Sequence, residues 1–290
     1  MSESRLRITD RILWILLITG FIGHASVAGE PGLEVRWNKR LLTISGSSLP
    51  GPVEIHYLEA YCRAGSTDRE WGQTVIRHRS TLVGGQNNGK QIQIEDRLDD
   101  GVVVQHTITA GTDTVDFLMV ATNPTQVASA VDWAQPCVRV DQFTGCDRKE
   151  SRELYPPYIR QSFLFFAGKP APMPTRPWAD QARYTPGQVY CPPAVNRNDV
   201  NPRPLSKLVP SNALVGCFSA DKKQLMAIAF VPCQEIFQGV ITCLHSDPRI
   251  GGLKPGQTKR IRGKIYFMGS DLDKLTERYK RDFPEDGFRK

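Results

Sequence analysis

The sequence lacks the short motifs that announce most enzyme classes. It has no Gly-x-Ser-x-Gly elbow, no His-Glu-x-x-His pair, no EF-hand loop and no glycine-rich turn opening a helix to cradle phosphate. Serine hydrolase, zinc protease, calcium-sensor and nucleotide-enzyme readings lose their support together. The seven cysteines contain no Cys-x-x-Cys pair, so spacing supports no structural zinc site, and neither a metal nor another cofactor is expected. Basic residues are scattered, and the one dense cluster, "KRIRGK" near Lys259, reads as a solvated strand face. A phosphate-tracking groove for nucleic acid is therefore not expected. No repeat of fixed period is visible.

What is present begins with a leader. Arg5, Arg7 and Arg11 precede the uncharged run "ILWILLITGFIGHASVA", which closes on Ser26 and Ala28 as a signal peptidase site requires. Residues 1–28 read as a secretory signal peptide, which makes the mature chain, 29–290, secreted or periplasmic with no membrane span. The alternative is an uncleaved signal anchor, since the run is near the lower limit for crossing a bilayer. Cleavage lowers the formal net charge from +7 to +6, with 34 basic and 28 acidic residues left.

From Leu33 to about Val140, short alternating segments such as "LEVRW", "VEIHYLEAYC", "KQIQIED", "GVVVQHTITA" and "TVDFLMVATN" are separated by Gly, Asn, Asp and Pro. That is the punctuation of an antiparallel all-β domain. "AGTD", residues 110–113, reads as a hairpin connection. Between 155 and 210 lie twelve of the 21 prolines. Proline removes ladder donors, so this stretch is a long loop insertion, and Trp178, Tyr184 and Tyr190 argue that it packs on the body. Strand-like segments then resume, and "SDLDKLTERYKRDF" predicts a helix over 270–283, capped by Ser270 or Asp271, with Leu272, Leu275 and Tyr279 as its apolar stripe. Residues 29–290 are expected to form a single mainly β domain.

Within that pattern "GVVVQHTITAGTDTVDFLMVATNPT", followed by "VDWAQPCVRV", resembles the central hairpin of galactose-mutarotase-like β-sandwiches. "GGLKPGQTKRIRGKIYFM" resembles the turn and last long strand of the same superfamily. Together these motifs cover about half of the mature chain. The chain also resembles secreted bacterial proteins that share "QPC-x-R", "FTG" and "GVITCLHSD" and carry no assigned activity. The resemblance implies an antiparallel β-supersandwich and a saccharide ligand. It does not carry the epimerase reaction with it, because Gln135 stands where that family places its acid histidine, and "CLHSDPRIGG" stands where it places its base glutamate.

The candidate site follows from alternation. Trp133, Gln135, Cys137, Arg139 and Asp141 fall on one face of a strand, and an aromatic plane beside amide and guanidinium groups suits a sugar ring. The competing reading fills the core with Trp133 and pairs Arg139 and Asp141 with neighbours. His245, with Asp247 two residues on and Arg249 beyond, offers an imidazole beside a carboxylate as a general base; turn capping by Asp247 explains the same letters. Glu235 is a second candidate base. His106 shares an apolar register with Val102, Val104 and Ile108 and reads as a core histidine. The cysteines read as buried small hydrophobes, with a Cys137–Cys146 disulfide as one permitted pairing.

Three functions are consistent with these residues. The first is a secreted carbohydrate-binding protein with a groove lined by Trp133, Gln135, Arg139, His245 and Arg249. The second is a saccharide epimerase or lyase using His245 or Glu235 as base, with an Arg stabilising developing negative charge. The third is an envelope component that contacts a partner through the proline-rich stretch. Oligomeric state is not readable.

Overall fold

A computed structural model of the chain describes residues 32–65, 70–85, 88–146, 157–173, 188–200, 204–239 and 241–286. The expected signal peptide, residues 1–28, and Trp178 and Tyr184 lie outside the described residues.

Two antiparallel sheets form the body. The first contains β1 (Glu34–Asn38), β2 (Leu41–Ser45), β3 (Val53–Arg63), β4 (Val75–Ile76), β9 (Val131–Arg139), β14 (Cys233–Gly239) and β15 (Cys243–Pro248). Its order is β1-β2-β3-β9-β15-β14, with β4 paired to β3. The second sheet has nine strands. They are β5 (His78–Gly84), β6 (Gln91–Leu98), β7 (Val103–Ala110), β8 (Thr114–Thr122), β10 (Ser162–Phe166), β11 (Lys169–Pro172), β12 (Val215–Phe218), β13 (Gln224–Val231) and β16 (Thr258–Gly269), in the order β11-β10-β12-β13-β16-β8-β7-β6-β5.

Each strand of the expected N-terminal series is present, and the residues that alternate inward are the ones that build the core. β6, β7 and β8 bury every second side chain, among them Ile92, Ile94, Val104, Ile108, Val115, Phe117 and Met119, against residues of the first sheet such as Val53, Ile55 and Val138. The "AGTD" connection closes the β7–β8 hairpin, with Gly111 N–H donating to Thr114 O at 2.8 Å. β16 pairs with both β13 and β8, and Gly263 leaves room there for the Phe230 ring, to which a Cβ would come within 2.3 Å.

His106 is the core histidine the register implied. Tyr57 Oη lies 2.9 Å from its Nδ1, Tyr61 Oη lies 3.0 Å from its Nε2, and Asp96 Oδ2 lies 3.1 Å from the same nitrogen. Tyr61 also donates to Asp96 Oδ2 at 2.7 Å, so the charge buried between the sheets is fully engaged on that oxygen.

The α-helices among the described residues are α1 (Trp71–Thr74), α2 (Asp141–Thr144) and α3 (Leu272–Asp282), and α3 falls inside the predicted 270–283. Asp271 is the cap, accepting from Lys274 N at 2.9 Å, and Leu275 and Tyr279 are buried. Arg278 holds the helix to the β7–β8 turn through two bonds to Asp113, at 2.6 and 2.9 Å. No helix among the described residues is long and apolar enough to cross a membrane.

Two expectations change. Residues 155–210 are not loop throughout, because β10 and β11 lie within them and β10 pairs with β12 in the nine-stranded sheet; the prolines Pro170 and Pro172 fall on β11, the edge strand, where missing ladder donors are tolerated. Asp141 does not extend β9, which ends at Arg139; it opens the short helix α2 (Asp141–Thr144), closed by Gly145 at φ 69°. The glycine supplies the left-handed turn that stops the helix, so the "DQFTG" letters follow helix-end chemistry rather than strand alternation.

Candidate functional site

β9, β14 and β15 are buried on both faces along nearly their whole length, as β13 is in the other sheet. Ala134, Val138, Ile236 and Leu244 point into the sandwich. The opposite face carries Gln135, Cys137, Cys243, His245, Asp247, Glu235 and Phe237, brought side by side by the pairings Glu235↔Asp247, Phe237↔His245, Gly239↔Cys243 and Cys243↔Arg139.

This outer face is covered by the proline-rich insertion. Tyr190 pairs with Ile236 through bonds of 2.8 and 3.0 Å, and Val189 bridges Leu205. Val189, Cys191, Val195 and Val200 then close over Phe237 as a second apolar cluster. The insertion therefore packs on the body, as Tyr190 suggested, and it covers the expected groove completely at its centre: His245 is 3% exposed and Asp247 and Glu235 are 0% exposed.

Beneath the cover the polar groups form a chain. Gln135 Nε2 donates to Asp247 Oδ2 at 3.2 Å. Asp247 Oδ1 lies 3.3 Å from His245 Nδ1, and His245 Nε2 lies 3.2 Å from Cys243 Sγ. The imidazole stacks on Phe237 with ring centroids 4.1 Å apart and planes within 6°. Burial by itself would lower the His245 pKa, but the Asp247 and Cys137 acceptors outweigh it and raise it; burial holds Asp247 up against His245 and Gln135. The Cys243 sulfur and burial push the Cys137 thiol well up.

The sulfurs of Cys137 and Cys243 and a ring nitrogen of His245 lie within 4.8 Å of one another. This is a soft donor set. Spacing along the chain did not reveal it, because Cys137 comes from β9 and Cys243 and His245 from β15. The signal that was there is the period-two "CLH", which puts Cys243 and His245 on one strand face. All seven cysteines are buried and stand outside any disulfide. The Cys137–Cys146 pairing does not form, since Cys137 faces Cys243 while the Cys146 thiol donates to Gln161 Oε1 at 3.2 Å.

The other expected site residues separate. Trp133 is fully buried with Ala60, Cys62, Trp71 and Val75, and its indole N–H has no hydrogen-bond partner among the described residues. Arg139 sits at the edge near Glu54, 3.9 Å away. Asp141 belongs to α2. Arg249 donates to Asp132 Oδ2 at 3.1 Å and to Gln234 Oε1, and it turns into an open cleft of about 570 Å³ on the far side of the cover. Arg260, Arg262, Glu285 and Asp286 line that cleft with the Pro192–Val195 segment. Sequence reasoning missed Arg260 and Arg262 as ligand candidates, reading "KRIRGK" only as a solvated face.

Two stacked antiparallel sheets and a short C-terminal helix make this a β-sandwich. No protein-family model matches the chain, and no curated protein matches it by sequence. Among solved structures it is similar to an inferred aldose 1-epimerase from Escherichia coli, at 9% identity and a TM-score of 0.43 over 82% of this chain and 99% of that one. A galactose mutarotase-like protein from Lactobacillus casei has 8% identity and a TM-score of 0.41 over 81% and 100%. An α-mannosidase from Enterococcus faecalis has 7% identity and a TM-score of 0.43 over 87% of this chain and 30% of its own. At these identities and TM-scores what the site does is set by its own residues.

Proposed function

We propose that the protein is an exported saccharide-binding protein and that its ligand is an acidic sugar held in the arginine-lined cleft. The observation that carries this reading is the convergence of Arg249, Arg260 and Arg262 on one open cleft of about 570 Å³, within the usual range for small-ligand sites. A guanidinium fork matches a carboxylate or sulfate with two parallel bonds, and a lysine would not. Arg262 is already held by Glu285 and by the Asp282 carbonyl, and Arg249 by Asp132, so both are set in place before a ligand arrives. The apolar walls at Val195 and Val231 offer surface to the C–H face of a sugar ring.

Two observations weigh against the alternatives. The candidate bases His245 and Glu235 are buried beneath residues 188–200 and are not walls of the cleft, which disfavours an epimerase or lyase in this conformation. Tyr190 of the proline-rich stretch is engaged with β14, and β10 and β11 within the stretch are engaged in the nine-stranded sheet, which disfavours its serving as a free partner-contact surface.

The test is a thermal-shift series on the chain from an exporting host, with uronate or sulfated oligosaccharides against neutral ones. A ligand at a hundred times its dissociation constant adds about 2.7 kcal/mol, a shift of a few degrees. The acidic sugars are expected to shift the transition, Arg260→Ala to weaken binding about tenfold, and neutral sugars to do nothing. No shift with any acidic saccharide overturns the reading. The mass of the exported chain tests its other half, with cleavage expected after Ala28.

A further inference from the structure

We propose that Cys137, Cys243 and His245 form a zinc site beneath the proline-rich cover, with both thiolates and the imidazole Nε2 as the protein's three ligands. Zinc bonds sulfur at about 2.3 Å and imidazole nitrogen at about 2.0–2.1 Å in a tetrahedral shell. Donors so bound lie roughly 3.5–3.8 Å from one another by that geometry. The three atoms here lie within 4.8 Å, and Cys243 Sγ and His245 Nε2 are already 3.2 Å apart. Closing the set needs side-chain rotation of about an ångström, not movement of strands.

The surroundings are those of a metal site. Metal-binding histidines present one nitrogen to the ion and hand the other to a carboxylate, which fixes the ring and raises its basicity. Asp247 Oδ1 lies 3.3 Å from His245 Nδ1, and Gln135 holds the other Asp247 oxygen at 3.2 Å. Phe237 fixes the plane of the ring by stacking. Position 239 is glycine, and a Cβ there would stand 2.3 Å from Cys243 Sγ and 3.3 Å from His245 Nε2. The backbone is bare at the one point where a side chain would fill the donor set.

Charge selects the ion. Two thiolates and a neutral imidazole make a divalent ion electrically neutral, so the complex is buried with no net charge, whereas a monovalent ion would leave an excess negative charge beside Asp247. Sulfur donors exclude magnesium and calcium, which take oxygen. Three protein ligands leave the fourth tetrahedral position to a non-protein ligand.

The experiment uses the full chain, stripped of metal under anaerobic reducing conditions and titrated with Zn²⁺, and with Co²⁺ as an optical probe. One equivalent is expected to bind, with intense sulfur-to-cobalt charge-transfer absorption that is lost in Cys137→Ser and in Cys243→Ser and retained in Cys146→Ser. Circular dichroism checks that the variants fold. Should they not, zinc X-ray absorption of the unsubstituted chain decides, with two sulfur neighbours expected at about 2.3 Å. Cobalt bound without sulfur bands, or less than stoichiometric zinc, overturns the proposal. So does a Cys137–Cys243 disulfide, seen in the non-reduced protein as a mass lower by two hydrogens, if it persists under those reducing conditions.

Discussion

Asp247 Oδ1 lies 3.3 Å from His245 Nδ1 and turns the other ring nitrogen onto Cys243 Sγ, 3.2 Å away. A general base needs that second nitrogen directed at a substrate; here it is directed at a thiol beneath a closed cover. The same two residues that suggested proton transfer in the sequence therefore serve, in the fold, to aim a ligand.

Asp247→Asn tests that aim without changing side-chain volume. The amide oxygen still accepts from Nδ1–H, but the charge that raises imidazole basicity is gone. Zinc affinity is expected to fall about 10-fold or more, the range found for groups that orient metal ligands. The cobalt sulfur bands should remain, since Asp247 is a positioning residue and not a ligand. Competition with a chelator of known affinity measures the change, and unaltered affinity would remove Asp247 from the site.

The contrast between what was legible and what was not follows from the range of the interactions. β6, β7 and β8 alternate polar and apolar with period two because one face meets the core and the other meets solvent, so their letters reveal them. His106 was readable as a core residue for the same reason. β9, β14 and β15 are buried on both faces, and a second burial by a segment distant in sequence leaves no local signature. Trp133 and Gln135 looked like a sugar-binding surface because polar and aromatic residues on a strand face point either to a ligand or to another part of the chain. Here Gln135 meets Asp247 and Trp133 meets Trp71, with ring centroids 6.5 Å apart. The meeting of Cys137 with His245 depends on β9 lying beside β15, which pairing order in the sheet decides and no spacing records.

Acid should find the Tyr57–Tyr61–Asp96–His106 network before it finds the rest of the core. Burial opposes ionisation of Asp96, but the neighbouring His106 and the hydrogen bonds from His106 and Tyr61 outweigh it and lower its pKa from 3.8 to about 2. A carboxyl with a depressed folded pKa contributes stability that is present above its unfolded value and is lost as pH falls through the folded one. The window therefore runs from about pH 4 down to about pH 2, and the contribution is of order 2 kcal/mol at 1.36 kcal/mol per unit. Asp96→Asn should be less stable at neutral pH and should flatten the stability curve across that window. Urea midpoints from pH 5 to pH 2 measure it, and parallel curves for the two proteins would assign the acid sensitivity elsewhere.

Phe237 joins the cover to the site, stacking on His245 with one face while packing with Val189, Cys191, Val195 and Val200. Phe237→Ala deletes the contact the two share. Truncating a buried phenylalanine costs about 3–5 kcal/mol where the surroundings cannot collapse, but the smaller cluster is separate from the main core, so the loss should fall on local opening. The amides to watch are Val189, bonded to Pro204 O, Tyr190, bonded to Ile236 O, and Ser206, bonded to Val189 O. Their hydrogen-exchange protection is expected to drop on the order of 100-fold, the equivalent of about 3 kcal/mol, while β6, β7 and β8 keep theirs. Equal loss in both regions would make Phe237 part of the global core and the cover no separate unit. Loss confined to the cover would mean that 188–200 can lift from β14 without unfolding the sandwich, which is the motion by which an ion or any larger ligand reaches Cys137, Cys243 and His245.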